Sequence, residues 1–150
     1  MKRIVFVCTG NTCRSPMAEL ILKDKLKLAG ITDVKVASAG LCANPGAKIS
    51  KNSAVALKQL GIKSYSFRSK QLTPKILKNS SLTICMTDDH VRYLQAYFGE
   101  YSNVLGIKEI FGEDILDPYG YDLPTYIKTS HKIEDACGII LEKILKAKGE

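Results

Sequence analysis

The 150-residue chain is 45% hydrophobic and 25% charged, the size and balance of one compact domain over residues 1–150, and no stretch approaches the roughly 20 apolar residues that cross a bilayer. Its five cysteines are an odd number with no Cys-x-x-Cys pair, and His90 and His131 are its only histidines, which argues for reduced thiols and against a disulfide framework or a metal site. The net charge of +7 and pI near 9.1 allow nucleic acid, acidic surfaces or phosphorylated partners, but the lysines are spread through the chain rather than gathered in one run, the pattern of a solvated surface.

Lys2 to Val7 is a short apolar run that ends at a glycine-containing turn, too short for the hydrophobic region of a signal peptide, and it predicts a buried strand. From Pro16 onward, Met17, Leu20, Ile21 and Leu28 recur at near-helical spacing, which predicts a helix with Ser15 as N-cap, Pro16 at its first position and Gly30 at its close. A second strand is expected over Val34 to Ser38, followed by a helix from Ser53 to Leu60 stopped at Gly61. Leu82 to Met86 predicts a third strand, Asp88 to Phe98 a helix, and Asn103 to Ile107 a fourth strand. Residues Gly112 to Tyr121, rich in Gly, Asp and Pro, read as a loop. Ile133, Ala136, Cys137, Ile140, Leu141 and Ile144 then mark a long amphipathic helix over Leu123 to Lys146. Strands alternating with helices predict an α/β fold, a three-layer α/β/α domain on a mostly parallel four-stranded sheet. Ligands of such sheets bind at the carboxyl ends of the strands, and the first such end is Cys8.

The residues after that strand are Cys8-Thr9-Gly10-Asn11-Thr12-Cys13-Arg14-Ser15-Pro16. Successive backbone N–H groups in a tight turn, backed by the positive end of the following helix, form a nest for a tetrahedral dianion. Gly10 and Asn11 suit the unusual backbone angles of such a curl, and Arg14 offers a planar guanidinium that grips two phosphate oxygens at once. The same field favours a thiolate at Cys8, the nucleophilic form, and the Ser15 hydroxyl can donate to its sulfur. A lone cysteine at a strand end is commonly just a small core residue. Here the strand before it, Gly-Asn within the loop and Ser-Pro opening a helix favour a phosphate loop over Thr9 to Ser15. The rival Walker pattern G-x4-G-K-[ST] does not occur.

The segment VCTGNTCRSP from Val7 to Pro16 resembles the N-terminal signature of the low-molecular-weight protein tyrosine phosphatase family. Ser38-Ala39-Gly40, Cys85-Met86 and Asp117-Pro118-Tyr119 resemble its second strand, third strand and acid loop, so the resemblance covers nearly the whole chain. It implies a protein phosphatase in which Cys8 attacks a phosphorylated side chain and carries the phosphoryl group as a thiophosphate ester. Arg14 and loop residues Thr9 to Cys13 hold the phosphate, Asp117 protonates the leaving group and then activates water, and Tyr119 walls the pocket. Asp88, Asp89, Asp114 and Asp122 are weaker candidates for the acid, standing at helix starts or in solvated loops. Phosphorylated proteins are then the substrates and inorganic phosphate the product, with no cofactor, nucleic acid or membrane partner, in a cytoplasmic monomer. In the family the pair matching Cys8 and Cys13 forms a reversible disulfide that guards the nucleophile. Cys42, Cys85 and Cys137 read as core or incidental residues, and both histidines as surface residues.

The identity of the phosphorylated residue is divided. Leu41-Cys42-Ala43-Asn44-Pro45 holds no aromatic where tyrosine-directed relatives often place one, and Tyr119 is followed by Gly120 rather than a second tyrosine. Thr12 stands where a bulkier aliphatic residue is frequent. The Thr-Cys-Arg and Asp-Pro-aromatic-Gly patterns resemble the bacterial protein arginine phosphatase branch, so phosphoarginine is expected beside phosphotyrosine. The alternative is a strict phosphotyrosine enzyme with a space-filling Thr12. Phe67 stands where many members have a histidine supporting the loop. Arsenate reductases share the fold but relay oxidation to two neighbouring cysteines, whereas here Cys85 is followed only by Cys137. A noncatalytic phosphate binder has no support, since Cys8, Arg14, Ser15 and Asp117 are all present.

Overall fold

Residues Ile4 to Cys8 are all buried, the pattern of a strand covered on both faces, and they form the centre of the sheet. A computed structural model describes residues 2–149 and places strands β1 (Lys2–Cys8), β2 (Val34–Gly40), β3 (Leu82–Cys85) and β4 (Val104–Gly106) in one parallel sheet of order β2-β1-β3-β4. The period of two along β1 feeds two cores. Ile4, Phe6 and Cys8 pack under helices α1 (Arg14–Leu28), α2 (Lys51–Gln59) and α6 (Leu123–Gly149). Val5 and Val7 point the other way, toward Leu77 of α3 (Pro74–Asn79) and Leu94 of α4 (Asp88–Phe98). A short helix, α5 (Lys108–Phe111), follows β4. No described helix is long and apolar enough to cross a membrane.

The chain winds from β1 to β2 on one side and returns to β3 on the other, so a crevice opens at the carboxyl ends of β1 and β3. Several boundaries differ from the sequence reading. Helix α1 begins at Arg14 with Cys13 as N-cap, and no side chain caps it. Ser15 lies inside the first turn, and its hydroxyl faces Cys8 and Asn11 instead of a helix N–H. Helix α2 starts two residues early because the Ser50 hydroxyl accepts from the Ser53 N–H. The unpredicted α3 carries the same kind of signal, with Thr73 capping and Pro74 opening the helix. The unpredicted α5 is four residues long, too short to show a period.

Strand β2 runs on to Gly40, which faces the residues after Cys8 across the sheet. A Cβ on Gly40 would lie 2.7 Å from the Thr9 carbonyl oxygen and 3.0 Å from the Asn11 nitrogen. Both neighbours are backbone and cannot swing aside. Gly40→Ala should therefore cost about 1–3 kcal/mol of stability and depress turnover with it. An unchanged Tm in a thermal melt would show that the loop does not need this close approach.

Candidate active site

The loop after β1 is held from outside by its carbonyls. Those of Cys8, Thr9 and Thr12 accept from the N–H groups of Leu41 (3.0 Å), Cys42 (2.9 Å) and Ser50 (2.9 Å). That of Asn11 accepts from the Ser69 hydroxyl (2.6 Å). With these carbonyls engaged from outside, none of the N–H groups of Thr9 to Cys13 donates to a protein acceptor among the described residues. This is the nest that an anion requires.

Asn11 sustains the curl. Its φ of 56° lies in the left-handed region, which among non-glycine residues asparagine tolerates well, and the residue is wholly buried. Its Nδ2 donates to Ser15 Oγ (2.8 Å) and Ser38 Oγ (2.9 Å), and its Oδ1 accepts from the Lys70 N–H (2.9 Å). Ser38 passes its own proton to the buried Glu19 (2.7 Å), whose other oxygen pairs with Lys23 (2.7 Å). Donor bookkeeping then fixes Ser15. Its oxygen accepts from Asn11, so its proton is free for Cys8 Sγ, 2.9 Å away. Phe67 takes no part through hydrogen bonds and packs as a buried side chain, while its neighbours Ser69 and Lys70 hold the loop.

Arg14 is 4% exposed, and its Nη1 donates to the Ile115 carbonyl (3.0 Å) while Nη2 lies 3.6 Å from Asp117 Oδ2. The Asp117 side chain is half exposed, and its Oδ1 accepts from the Tyr119 N–H (3.0 Å), an Asx turn that shapes the loop. Cys8, Thr9, Gly10, Thr12, Cys13, Arg14, Asp117 and Tyr119 surround one cavity of 240 Å³. Of the residues singled out in the sequence, only Asn11 and Ser15 are missing from its wall, and both lie beneath it. Larger hollows occur elsewhere, but the Cys8 thiol, the Arg14 guanidinium and the Asp117 carboxyl converge here. None of Asp88, Asp89, Asp114 and Asp122 lines this cavity. Asp89 pairs with Arg92, Asp114 accepts from the Asp88 N–H, and Asp122 accepts from Thr125.

Cys13 Sγ lies 3.3 Å from Ser50 Oγ and 3.7 Å from the Tyr126 hydroxyl, whose pKa is pushed up to about 12 by burial and by Cys13. Burial pushes Cys85 and Cys137 to about 12 as well, so both stay protonated packing residues. Cys42 is exposed, 3.2 Å from the Tyr93 hydroxyl. Cys85 ends β3 and Cys137 lies within α6, so neither belongs to a close cysteine relay.

His90 departs from its surface assignment. It is only 7% exposed, and its Nε2 shares a hydrogen bond with Thr9 Oγ1 (3.0 Å), closing the crevice between the loop and α4. Its Nδ1 is buried without a partner among the described residues. Burial first and the Arg14 charge second lower its pKa from 6.5 to about 4, so it is neutral at physiological pH. Its place four residues past Met86, at the carboxyl end of β3, was the available signal.

The sequence profile of the low molecular weight phosphotyrosine protein phosphatases matches residues 3–150. The chain is 35% identical to the protein-arginine-phosphatase of Bacillus subtilis over 147 residues, covering 95% of this chain and 97% of that one. It is 38% identical to a low molecular weight protein-tyrosine-phosphatase of Staphylococcus haemolyticus over 133 residues, covering 87% and 91%. The solved structure of an arginine phosphatase mutant with a phosphorylated active-site serine superposes with a TM-score of 0.91, at 34% identity and 96% coverage of each chain.

Because the folded chain binds a proton at His90 less readily than the unfolded chain does, the stability tied to its neutral form is present above pH 6.5 and is lost as pH falls toward about 4. His90→Gln should make the fold less acid-sensitive in that window, by up to about 1.4 kcal/mol per pH unit. Denaturant titrations of both proteins at several pH values read this directly, and identical acid sensitivity would sink the assignment.

Proposed function

Because the chain belongs to the low molecular weight phosphotyrosine protein phosphatase family, and is therefore a cysteine-dependent protein phosphatase, we propose that it prefers phosphoarginine, with Cys8, Arg14 and Asp117 as its catalytic groups. The observation that carries the preference is the Thr12 hydroxyl. It stands in the cavity wall, and among the described residues its only contact of hydrogen-bond type is Cys13 Sγ at 3.9 Å, which leaves it free for a substrate N–H. Asp117 adds a carboxyl group that can hydrogen-bond the substrate's guanidine nitrogen, and Tyr119, 76% exposed, is the one aromatic in the wall. The name of the Bacillus subtilis relative supports the same reading.

In the first step Cys8 Sγ attacks phosphorus, and the S–P bond forms as the P–N bond breaks. The carboxylic acid of Asp117 gives its proton to the departing guanidine nitrogen. The N–H groups of Thr9 to Cys13 and the Arg14 guanidinium hold the three non-bridging oxygens throughout. Water then attacks phosphorus, its proton passes to the Asp117 carboxylate, and the S–P bond breaks. Ser15 donates to the sulfur as thiolate re-forms, and inorganic phosphate leaves. The phosphorylated serine in the solved relative supports a phosphoenzyme at this position. None of the five cysteines is bridged, which suits the reducing cytoplasm.

One observation favours phosphotyrosine instead. Tyr93 of α4 reaches Cys42 and lines a hollow that shares Thr9 and Arg14 with the cavity, so an aromatic does stand near the mouth.

Side-by-side kcat/KM on phosphoarginine and phosphotyrosine peptides decides between them. Wild type should favour phosphoarginine, Thr12→Ile should reverse the order, and Cys8→Ser should turn over neither. A phosphotyrosine preference indifferent to Thr12→Ile would leave a tyrosine phosphatase with a space-filling threonine. Asp117→Asn should slow substrates with poor leaving groups about 100-fold or more and activated aryl phosphates far less. Equal losses on both would remove Asp117 as the acid.

A further inference from the structure

No single run gathers the lysines, but the carboxylates are distributed very unevenly. Between Asp33 and Asp88 the chain carries nine lysines and arginines and not one aspartate or glutamate, while the remainder holds 13 cations against 15 acids. All nine are exposed, and none is ion-paired among the described residues. This stretch includes the sheet's edge strand β2, the segment around residues 41–50 that holds the phosphate loop, α2, and the residues leading to α3.

Within it lies an apolar hollow of 360 Å³, floored by Ile49, Ala54, Ile62 and Phe67 with Tyr65 at its edge. Lys48, Lys58, Lys63 and Arg68 border it, and no carboxylate does. Tyr65 is 80% exposed. The hollow adjoins the catalytic loop, because Ile49 precedes Ser50, whose N–H holds the Thr12 carbonyl and whose hydroxyl accepts from Cys13. We propose that this hollow docks an acidic segment of the phosphoprotein substrate, with an apolar side chain of that segment seated among Ile49, Ile62 and Phe67 and its carboxylates over the four cations. The inference rests on the reading of the chain as a protein phosphatase and adds a feature of the protein it recognises. An apolar socket favours a protein over a nucleic acid, since a phosphodiester backbone brings charge but nothing to fill it. Unpaired cations at its border raise the capture rate of an acidic partner and orient it.

The test uses unphosphorylated peptides, so it stands apart from which phosphorylated residue the enzyme prefers. Fluorescence anisotropy would compare a labelled peptide of glutamates around one phenylalanine with its alanine counterpart, a single-stranded oligonucleotide and phosphatidylserine vesicles. The partners are wild type, Lys58→Glu combined with Lys63→Glu, and Ala54→Leu, which fills the hollow. The phenylalanine peptide should bind wild type at least about five-fold tighter than either variant or than the alanine peptide binds. Turnover of para-nitrophenyl phosphate should stay at the wild-type level in both variants, which shows that they are folded. If Ala54→Leu fails that control, the charge-reversed variant alone decides. Equal binding by wild type and a folded variant, indifference to the phenylalanine, or tighter binding of oligonucleotide or vesicles would each overturn the proposal. Absence of phosphatase activity in wild type with peptide docking intact would instead strike the catalytic reading and leave the hollow as a site for acidic peptides without making them substrates.

Discussion

A run of backbone N–H groups can face an anion only if the carbonyls between them are satisfied elsewhere, and the whole molecule is arranged around that condition. Four carbonyls of the Cys8–Thr12 loop find donors in segments far away in sequence, at Leu41, Cys42, Ser50 and Ser69. Strand β2 must come close enough to supply them, so its last residue is a glycine. Asn11 must turn left-handed within the loop, and its side chain offsets that strain with three hydrogen bonds. The sheet therefore does more than support the nucleophile. It keeps the loop's donors unspent.

The direction of hydrogen bonding beneath the loop can be followed from one side chain. Glu19 is buried, with Oε1 accepting from the Ser38 hydroxyl and Oε2 2.7 Å from Lys23 Nζ. Ser38 must donate to it, Asn11 must then donate to Ser38 and Ser15, and Ser15 is left with its proton toward sulfur. A buried carboxylate is costly unless satisfied, and here the cost is offset by Lys23 and Ser38. A buried side chain of α1 thus fixes a hydroxyl orientation at Cys8 through a chain of short contacts.

What the sequence could reveal was whatever the chemistry keeps contiguous. Cys8, Arg14 and Ser15 share one loop and helix start, and the alternation of strands and helices was plain enough to place that loop at a strand's carboxyl end. What stayed hidden depends on separation. His90 meets Thr9 across 81 positions, and Lys70 meets Asn11 across 59, so neither pairing leaves a local trace. Ser15 misled for a different reason. Serine before a proline-led helix is a strong capping signal, but a nucleophile beside it claimed the hydroxyl. Spacing along the chain says little about sharing a hollow: Lys48, Lys58, Lys63 and Arg68 border one although they are spread over a stretch with no run of cations.

The loop that carries Asp117 is anchored to the fold by two buried residues, Ile115 and Pro118. Ile115 sits in the core, with its N–H on Met86 and its carbonyl on Arg14, while Leu116, Tyr119 and Tyr121 beyond it stand largely in solvent and pack against neither core cluster. Inheritance can treat the two halves of the site differently as a result. Drift at the exposed positions 116 and 119 to 121 can alter which leaving group is welcomed while Asp117, the buried Pro118 and the loop after β1 stay as they are, so one ancestral scaffold can diversify into enzymes for different modified side chains.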